Sequence, residues 1–206
     1  MQKKIDLSLY VITDRLLSRG RPPMAVAAKA IAGGATCIQL REKDAAVTSR
    51  ELFALAEKLR ALTRGKGVAL IINDRLDIAL AVGADGVHLG RDDLPLAVAR
   101  RLLPPGMILG ASAGDPRQSR RAQAAGAAYL GTGAVFGTST KPDAGAAIGL
   151  AALNAVCRSV EIPVVGIGGI TAANAGRVIA AGAAGAAVIS SVVGAADVTA
   201  AAREIA

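Results

Sequence analysis

Gly34-Ala35-Thr36-Cys37-Ile38-Gln39-Leu40-Arg41-Glu42-Lys43 is the stretch that decides the fold. Gly34 closes an Ala-rich amphipathic run, as a left-handed helix cap does, and Thr36–Lys43 then alternates like a strand. Strand side chains point to the two faces in turn. Ile38 and Leu40 therefore share one face, and Gln39, Arg41 and Lys43 share the other. At a rise of about 3.3 Å per residue the two cations lie about 6–7 Å apart, and they repel unless an anion sits between them. Helix cap, strand and anion contact follow one another within ten residues.

The Gly-Ala step recurs at Gly83-Ala84, Gly126-Ala127 and Gly182-Ala183, at intervals of 49, 43 and 56 residues. Each interval has room for two strand–helix units, which predicts eight strands. Apolar runs place them at 9–14, 36–43, 69–74, 86–90, 108–112, 129–136, 163–170 and 186–193. Helical patterns fill 22–32, 48–64, 75–81, 94–103, 116–125, 149–159, 171–180 and 195–205. Asp93, Asp115 and Thr171 stand as start signals before three of these helices. The alternation predicts a (β/α)8 barrel, with a doubly wound open sheet as the alternative. No linker divides the chain, so one domain over 1–206 is expected.

Composition narrows the function. Hydrophobic residues make up 52% and aromatics 2%, so Val, Ile, Leu, Ala and Gly must build the core, as helices on a parallel sheet require. Apolar runs are too short to span a bilayer, and Met1–Thr13 lacks an export pattern. Cys37 and Cys157 have no metal-ligand spacing and read as reduced, buried thiols, so a cytoplasmic protein is expected. The net charge is +8, but the basic residues are scattered at helical spacings, and Tyr10, Phe53, Tyr129 and Phe136 are the only stacking aromatics. That argues against nucleic acid and for small anionic ligands.

In such barrels the loops after the strands build the active site, and the polarity of the predicted strands is directional. Their C-terminal ends carry Gln39, Arg41 and Lys43, Asn73 and Asp74, Arg91 to Asp93, Ser112, Thr138 to Lys141, Gly168-Gly169 and Ser190-Ser191. The opposite ends carry mainly Gly, Ala, Val and Pro. Gly168-Gly169 with Ile189-Ser190 reads as a monophosphate site made of backbone N–H groups. Arg41, Lys43 and Lys141, with Asn73 and Ser112 as neutral donors, suit a diphosphate. Asp74 and Asp93 either pair with these cations or hold Mg²⁺ completed by phosphate oxygens. Asp92 faces away from Asp93 and is the weaker ligand. His88, the single histidine, points into the barrel and reads as a hydrogen-bonded interior residue. Residues 137–148, after the sixth strand, lack any periodic pattern and read either as a functional lid or as a disordered loop.

Six segments in order, Tyr10–Asp14, Gln39–Lys43, Ile72–Arg75, Asp85–Gly90 with Asp93, Thr138–Lys141 and Gly166–Ile170, resemble the thiamine phosphate synthase family over nearly the whole chain. The resemblance implies the same barrel and a transferase that joins a pyrimidine methyl diphosphate to a (carboxy)thiazole phosphate with Mg²⁺, releasing diphosphate. It implies pyrimidine diphosphate contacts at Gln39, Leu40, Arg41, Glu42, Lys43, Asn73, Ser112 and Lys141. Of these, Arg41, Lys43, Ser112 and Lys141 would carry the chemistry. Thiazole phosphate would lie against Thr138, Ser139, Thr140, Gly169, Ile189 and Ser190, and Mg²⁺ on Asp74 and Asp93. Its partners would be small phosphorylated substrates; a homo-oligomer is compatible with the sequence. Arg91 and Ala113-Gly114 depart from the family pattern. Gly114 also speaks against the related thiazole tautomerases, which use a histidine near there. A catalytically silent phosphate-binding barrel is the remaining alternative, and the joint presence of Lys43, Asp74, Asp93 and Lys141 argues against it.

Overall fold

A computed structural model of the chain describes residues 5–138, 140 and 145–206. Its order is β1 (Leu9–Ile12), α1 (Pro23–Ala32), β2 (Cys37–Leu40), α2 (Ser49–Lys66), β3 (Ala69–Asn73), α3 (Leu76–Ala81), β4 (Gly86–Leu89) and α4 (Leu96–Leu102), then β5 (Ile108–Ser112), α5 (Pro116–Ala124), β6 (Tyr129–Gly133), α6 (Gly149–Cys157), β7 (Val164–Ile167), α7 (Ala172–Ala180), β8 (Gly185–Val188), α8 (Ser190–Val193) and α9 (Val198–Arg203). The strands pair in parallel, each with its sequence neighbour, and β8 returns to β1. The eight-stranded closed barrel is therefore the expected fold, and the open sheet is excluded.

The Gly-Ala repeat is a helix-ending device. Gly34, Gly83, Gly126 and Gly182 all have positive φ, between +57° and +108°. In each case the following Ala N–H bonds the carbonyl five residues back: Ala35 to Ala30, Ala84 to Ala79, Ala127 to Ala122 and Ala183 to Val178. This satisfies a free helix carbonyl and buries the Ala methyl. The next residue starts the next strand by donating to the preceding one, as Thr36 N does to Leu9 O and Asp85 N to Leu70 O. One motif thus stops α1, α3, α5 and α7 and launches β2, β4, β6 and β8.

Period-two alternation sorts the strands into two layers. Outward residues such as Val11, Ile38, Leu40, Ile72, Val87 and Leu109 pack under the helices. Inward residues fill the barrel, with Cys37, Ile71, Ile108 and Val165 around Tyr10 and Tyr129. The inward positions nearer the C-terminal mouth turn polar: Gln39, Asn73, His88 and Ser112. The apolar floor seals the barrel, and the polar roof makes a site.

Several expected boundaries shift. The eighth strand ends at Val188, and Ser190–Val193 forms a short helix instead of continuing it. The last helix begins at Val198, capped by Asp197, which accepts from Thr199 and Ala200 N–H. Asp115 caps α5 through Gln118 N–H as expected. Asp93 does not cap α4; it accepts from Gly90 N–H at 2.6 Å and so is held at the barrel mouth. Cys37 is buried, but Cys157 is only half-buried, and both are free thiols. Among the described residues no helix is long and apolar enough to cross a membrane.

Candidate active site

Above the polar layer opens a cavity of about 640 Å³. Every strand contributes to its wall, which is why strand-end residues meet although they are far apart in sequence, Ile12 and Val188 among them. Gln39, Arg41, Lys43, Asn73, Asp74, Asp93, Ser112, Thr138, Thr140, Gly169, Ile189 and Ser190 all line it. Leu40 and Glu42 do not. Leu40 faces the helix layer, and the Glu42 carboxylate is taken by Arg15 and by the N–H groups of Lys43 and Asp44. Ser139 and Lys141 lie outside the described residues.

The β2 end is ordered by its neighbours. Ile12 pairs with Gln39 in register, so two residues further on Asp14 comes level with Arg41. Arg41 Nη1 lies 2.5 Å from Asp14 Oδ2, and both side chains are mostly buried. Asp14 also accepts from Leu17 N–H, which closes the turn after β1. Asp14 was not anticipated as a site residue, although its place at the end of β1 matches that of Arg41 on β2.

Asp74 closes a three-residue turn in which Arg75 N–H bonds Asn73 O at 2.7 Å, and its φ is +61°. A non-glycine residue in that region costs of order 1–3 kcal/mol. The bond from Asp74 N–H to His88 O holds it there. This turn aims the Asp74 carboxylate along the rim, where Lys43 Nζ meets Oδ2 at 2.5 Å. Asp93 stands beside Asp74. Burial and the neighbouring Asp74 carboxylate raise its pKa, against the Gly90 N–H and Lys43. Asp92, on the turn after β4, is exposed at the cavity rim, and so is Arg91.

Across the barrel, Gly168 and Gly169 both have positive φ, at +98° and +65°. A Cβ on Gly169 would sit 2.5 Å from Gly137 O and 2.8 Å from Phe136 Cβ. Phe136 N–H also bonds Gly168 O, so these glycines anchor the base of the 137–148 segment as well as lining the cavity. Among the described residues no three His, Cys, Asp or Glu side chains gather into a metal cluster.

The interior layer beneath contains a continuous polar chain: Gln39, Tyr10, Tyr129, His88 and Ser112 are linked by four hydrogen bonds of 2.6–3.0 Å. His88 is an interior hydrogen-bonded residue, as expected, but it also reaches the cavity wall.

Cations and paired carboxylates on one side of a parallel barrel mouth, with a glycine-built backbone concavity on the other, define a barrel enzyme that handles small phosphorylated molecules. Residues 9–192 match the family described as thiamine monophosphate synthase, and the chain belongs to it. It is an enzyme, a transferase of thiamine biosynthesis. The chain is 55% identical to the thiamine-phosphate synthase of Moorella thermoacetica over 197 residues, covering 96% of this chain and 93% of that protein. It is also 55% identical to that of Chloroflexus aurantiacus, over 98% of this chain and 92% of the relative. The solved thiamine phosphate pyrophosphorylase from Pyrococcus furiosus superposes with a TM-score of 0.89 at 45% identity, covering 97% of this chain and 94% of that one.

Proposed function

We propose that one end of the cavity binds a pyrimidine methyl diphosphate and the other a thiazole phosphate, and that the two are joined there to thiamine phosphate. The observation that carries this reading is the convergence of Lys43, Asp74 and Asp93 on one rim, with Gly168-Gly169 and Ser190 just beyond the ends of the facing strands β7 and β8. The diphosphate lies against Arg41, Lys43, Asn73 and Ser112, with Lys141 assigned to it as a third cation. The thiazole phosphate lies against Thr138 to Thr140, Gly169, Ile189 and Ser190. Gln39 faces the pyrimidine ring.

The donor set fits Mg²⁺. That ion takes one or two carboxylates and fills its shell with water and phosphate oxygens, and Asp74 and Asp93 are such a pair. They would hold the ion, whose charge offsets the negative charge that builds up on the departing diphosphate. Arg41, Lys43 and Lys141 act on the same charge, and it is there that they contribute most to the rate.

The C–O bond from the methylene carbon to the diphosphate breaks, and its electron pair leaves with the diphosphate. The electron-rich aminopyrimidine carries the resulting positive charge until the thiazole nitrogen lone pair forms the new N–C bond. No general base has to act on that nitrogen, in keeping with a site whose one histidine is engaged in the interior. The free thiols of Cys37 and Cys157 accord with a cytoplasmic location. A pyrimidine bearing an electron-withdrawing substituent tests the order of bond changes. Its turnover should fall by orders of magnitude if cleavage runs ahead of attack, and an unchanged rate would mean that attack leads.

A further inference from the structure

With a neutral imidazole, the five polar side chains inside the barrel form a chain whose hydrogen bonds can run in two senses. Gln39 Nε2 lies 2.6 Å from Tyr10 Oη. Tyr10 Oη lies 2.8 Å from Tyr129 Oη, which lies 2.9 Å from His88 Nδ1. His88 Nε2 lies 3.0 Å from Ser112 Oγ. Tyr10 and Tyr129 are fully buried, and burial raises both phenol pKa values well above the ordinary one, so each keeps its single proton. A buried phenol proton needs an acceptor.

An amide nitrogen only donates. With Gln39 donating to Tyr10, the Tyr10 proton goes to Tyr129 and the Tyr129 proton to His88 Nδ1. Neutral imidazole then carries its proton on Nε2 and donates it to Ser112 Oγ. The Ser112 proton is left pointing out of the chain, into the cavity. The opposite sense begins with Tyr10 donating to a reversed Gln39 amide. It leaves His88 protonated on Nδ1 and draws the Ser112 proton inward, so that only an acceptor faces the cavity. An anionic ligand needs a donor, and only the first sense supplies one.

We propose that Tyr129 and His88 are positioning residues: the chain runs from Gln39 to Ser112, fixes His88 as the Nε2–H tautomer, and makes Ser112 a hydrogen-bond donor to the substrate diphosphate. This rests on the assignment of Ser112 to the diphosphate made above. It also ties the two ends of one substrate together. In this sense the Gln39 amide oxygen is free to accept from the exocyclic amine of the pyrimidine. The ring that sets the amide therefore sets the serine that meets its diphosphate. The packing reserves space for the chain. A Cβ on Gly110 would fall 2.3–2.4 Å from the Tyr129 ring, and one on Gly131 would lie 3.2 Å from His88 Cε1.

The chain has a single histidine, so ¹⁵N-histidine labelling reports this ring alone. With the pyrimidine diphosphate bound and no thiazole phosphate present, the wild-type spectrum should show a protonated Nε2 and an unprotonated Nδ1. Tyr129→Phe removes the donor to Nδ1 and should give a mixture of tautomers. Its kcat should fall about tenfold, the kinetic size of one hydrogen bond to a charged group, with KM for thiazole phosphate unchanged. Tyr10→Phe, which frees Tyr129 to turn, should move the spectrum the same way. A protonated Nδ1 in this wild-type complex, in either the other neutral tautomer or the imidazolium, overturns the proposal without any variant. So does a Tyr129→Phe protein with the wild-type spectrum and kcat. Product formation by the same labelled wild-type protein checks the underlying assignment of function separately. A synthase whose His88 is protonated on Nδ1 refutes the chain and leaves the function standing.

Discussion

Lys43 Nζ lies 2.5 Å from Asp74 Oδ2, so a cation assigned to the diphosphate rests on a carboxylate assigned to the metal. The two roles compete in the free protein. Lys43→Met should therefore bind Mg²⁺ more tightly than the wild type when no substrate is present. The gain should be no more than about fivefold, because Lys43 is half exposed and such pairs are worth about 1 kcal/mol or less. The same variant should turn over slowly. Calorimetric titration with Mg²⁺ beside a kcat measurement separates the two effects. Weaker metal binding would show that Lys43 and the metal do not share Asp74.

Asp93 gives a pH signature. Burial and the Asp74 carboxylate raise its pKa above 3.8 in the folded protein, so between 3.8 and the folded value the native state binds more protons than the unfolded chain. Stability then falls as pH rises through that window, and the penalty persists at neutral pH. Asp93→Asn should accordingly melt at a higher temperature than the wild type at pH 7, and the difference should vanish below pH 3.8. Added Mg²⁺ should raise the wild-type melting temperature and leave that of the variant unmoved. A variant that melts lower at pH 7 would mean that the Gly90 contact outweighs the carboxylate repulsion.

Asp14 orders Arg41. Asp14→Asn keeps an acceptor for Leu17 N–H but removes the charge that fixes the guanidinium. KM for the pyrimidine diphosphate should rise about tenfold, with little change for thiazole phosphate. Equal effects on both substrates would make Asp14 a general stabiliser of the mouth.

The barrel was legible because its punctuation is repeated: four Gly-Ala steps mark every second helix end, and period-two alternation sorts the strands. Strand-end polarity then pointed to Gln39, Arg41, Lys43, Asn73, Asp74, Asp93 and Ser112 as neighbours, and all of them line one cavity. Less legible was whatever depends on register or on turns. Asp14 meets Arg41 only because Ile12 pairs with Gln39. Asp93, preceding Leu94-Pro95, had every local mark of a helix cap, yet it bonds back to Gly90. Glu42 sits between two site cations in sequence and is turned away by Arg15. Tyr10 and Tyr129 lie 119 positions apart, and no local pattern announces that their hydroxyl groups meet. The sequence marks Gly169 only as a phosphate contact, but it also buttresses Phe136 and Gly137, so a bulky substitution there would disturb the loop base as well as the ligand.

Lys141 lies outside the described residues, and its assignment to the diphosphate, on a loop that closes over the ligand, is a proposal from the sequence. Lys141→Ala should lower kcat strongly while thiazole phosphate affinity changes little, the pattern of a contact made in the transition state. Near-normal kcat would leave Arg41 and Lys43 as the principal diphosphate cations.

The most direct measurement mixes the pyrimidine diphosphate, the thiazole phosphate and Mg²⁺ with the protein and follows thiamine phosphate and diphosphate together. Equal amounts of the two products, dependent on both substrates and abolished by EDTA, are the expected result. Diphosphate release without thiamine phosphate, or turnover that persists in EDTA, would contradict the account.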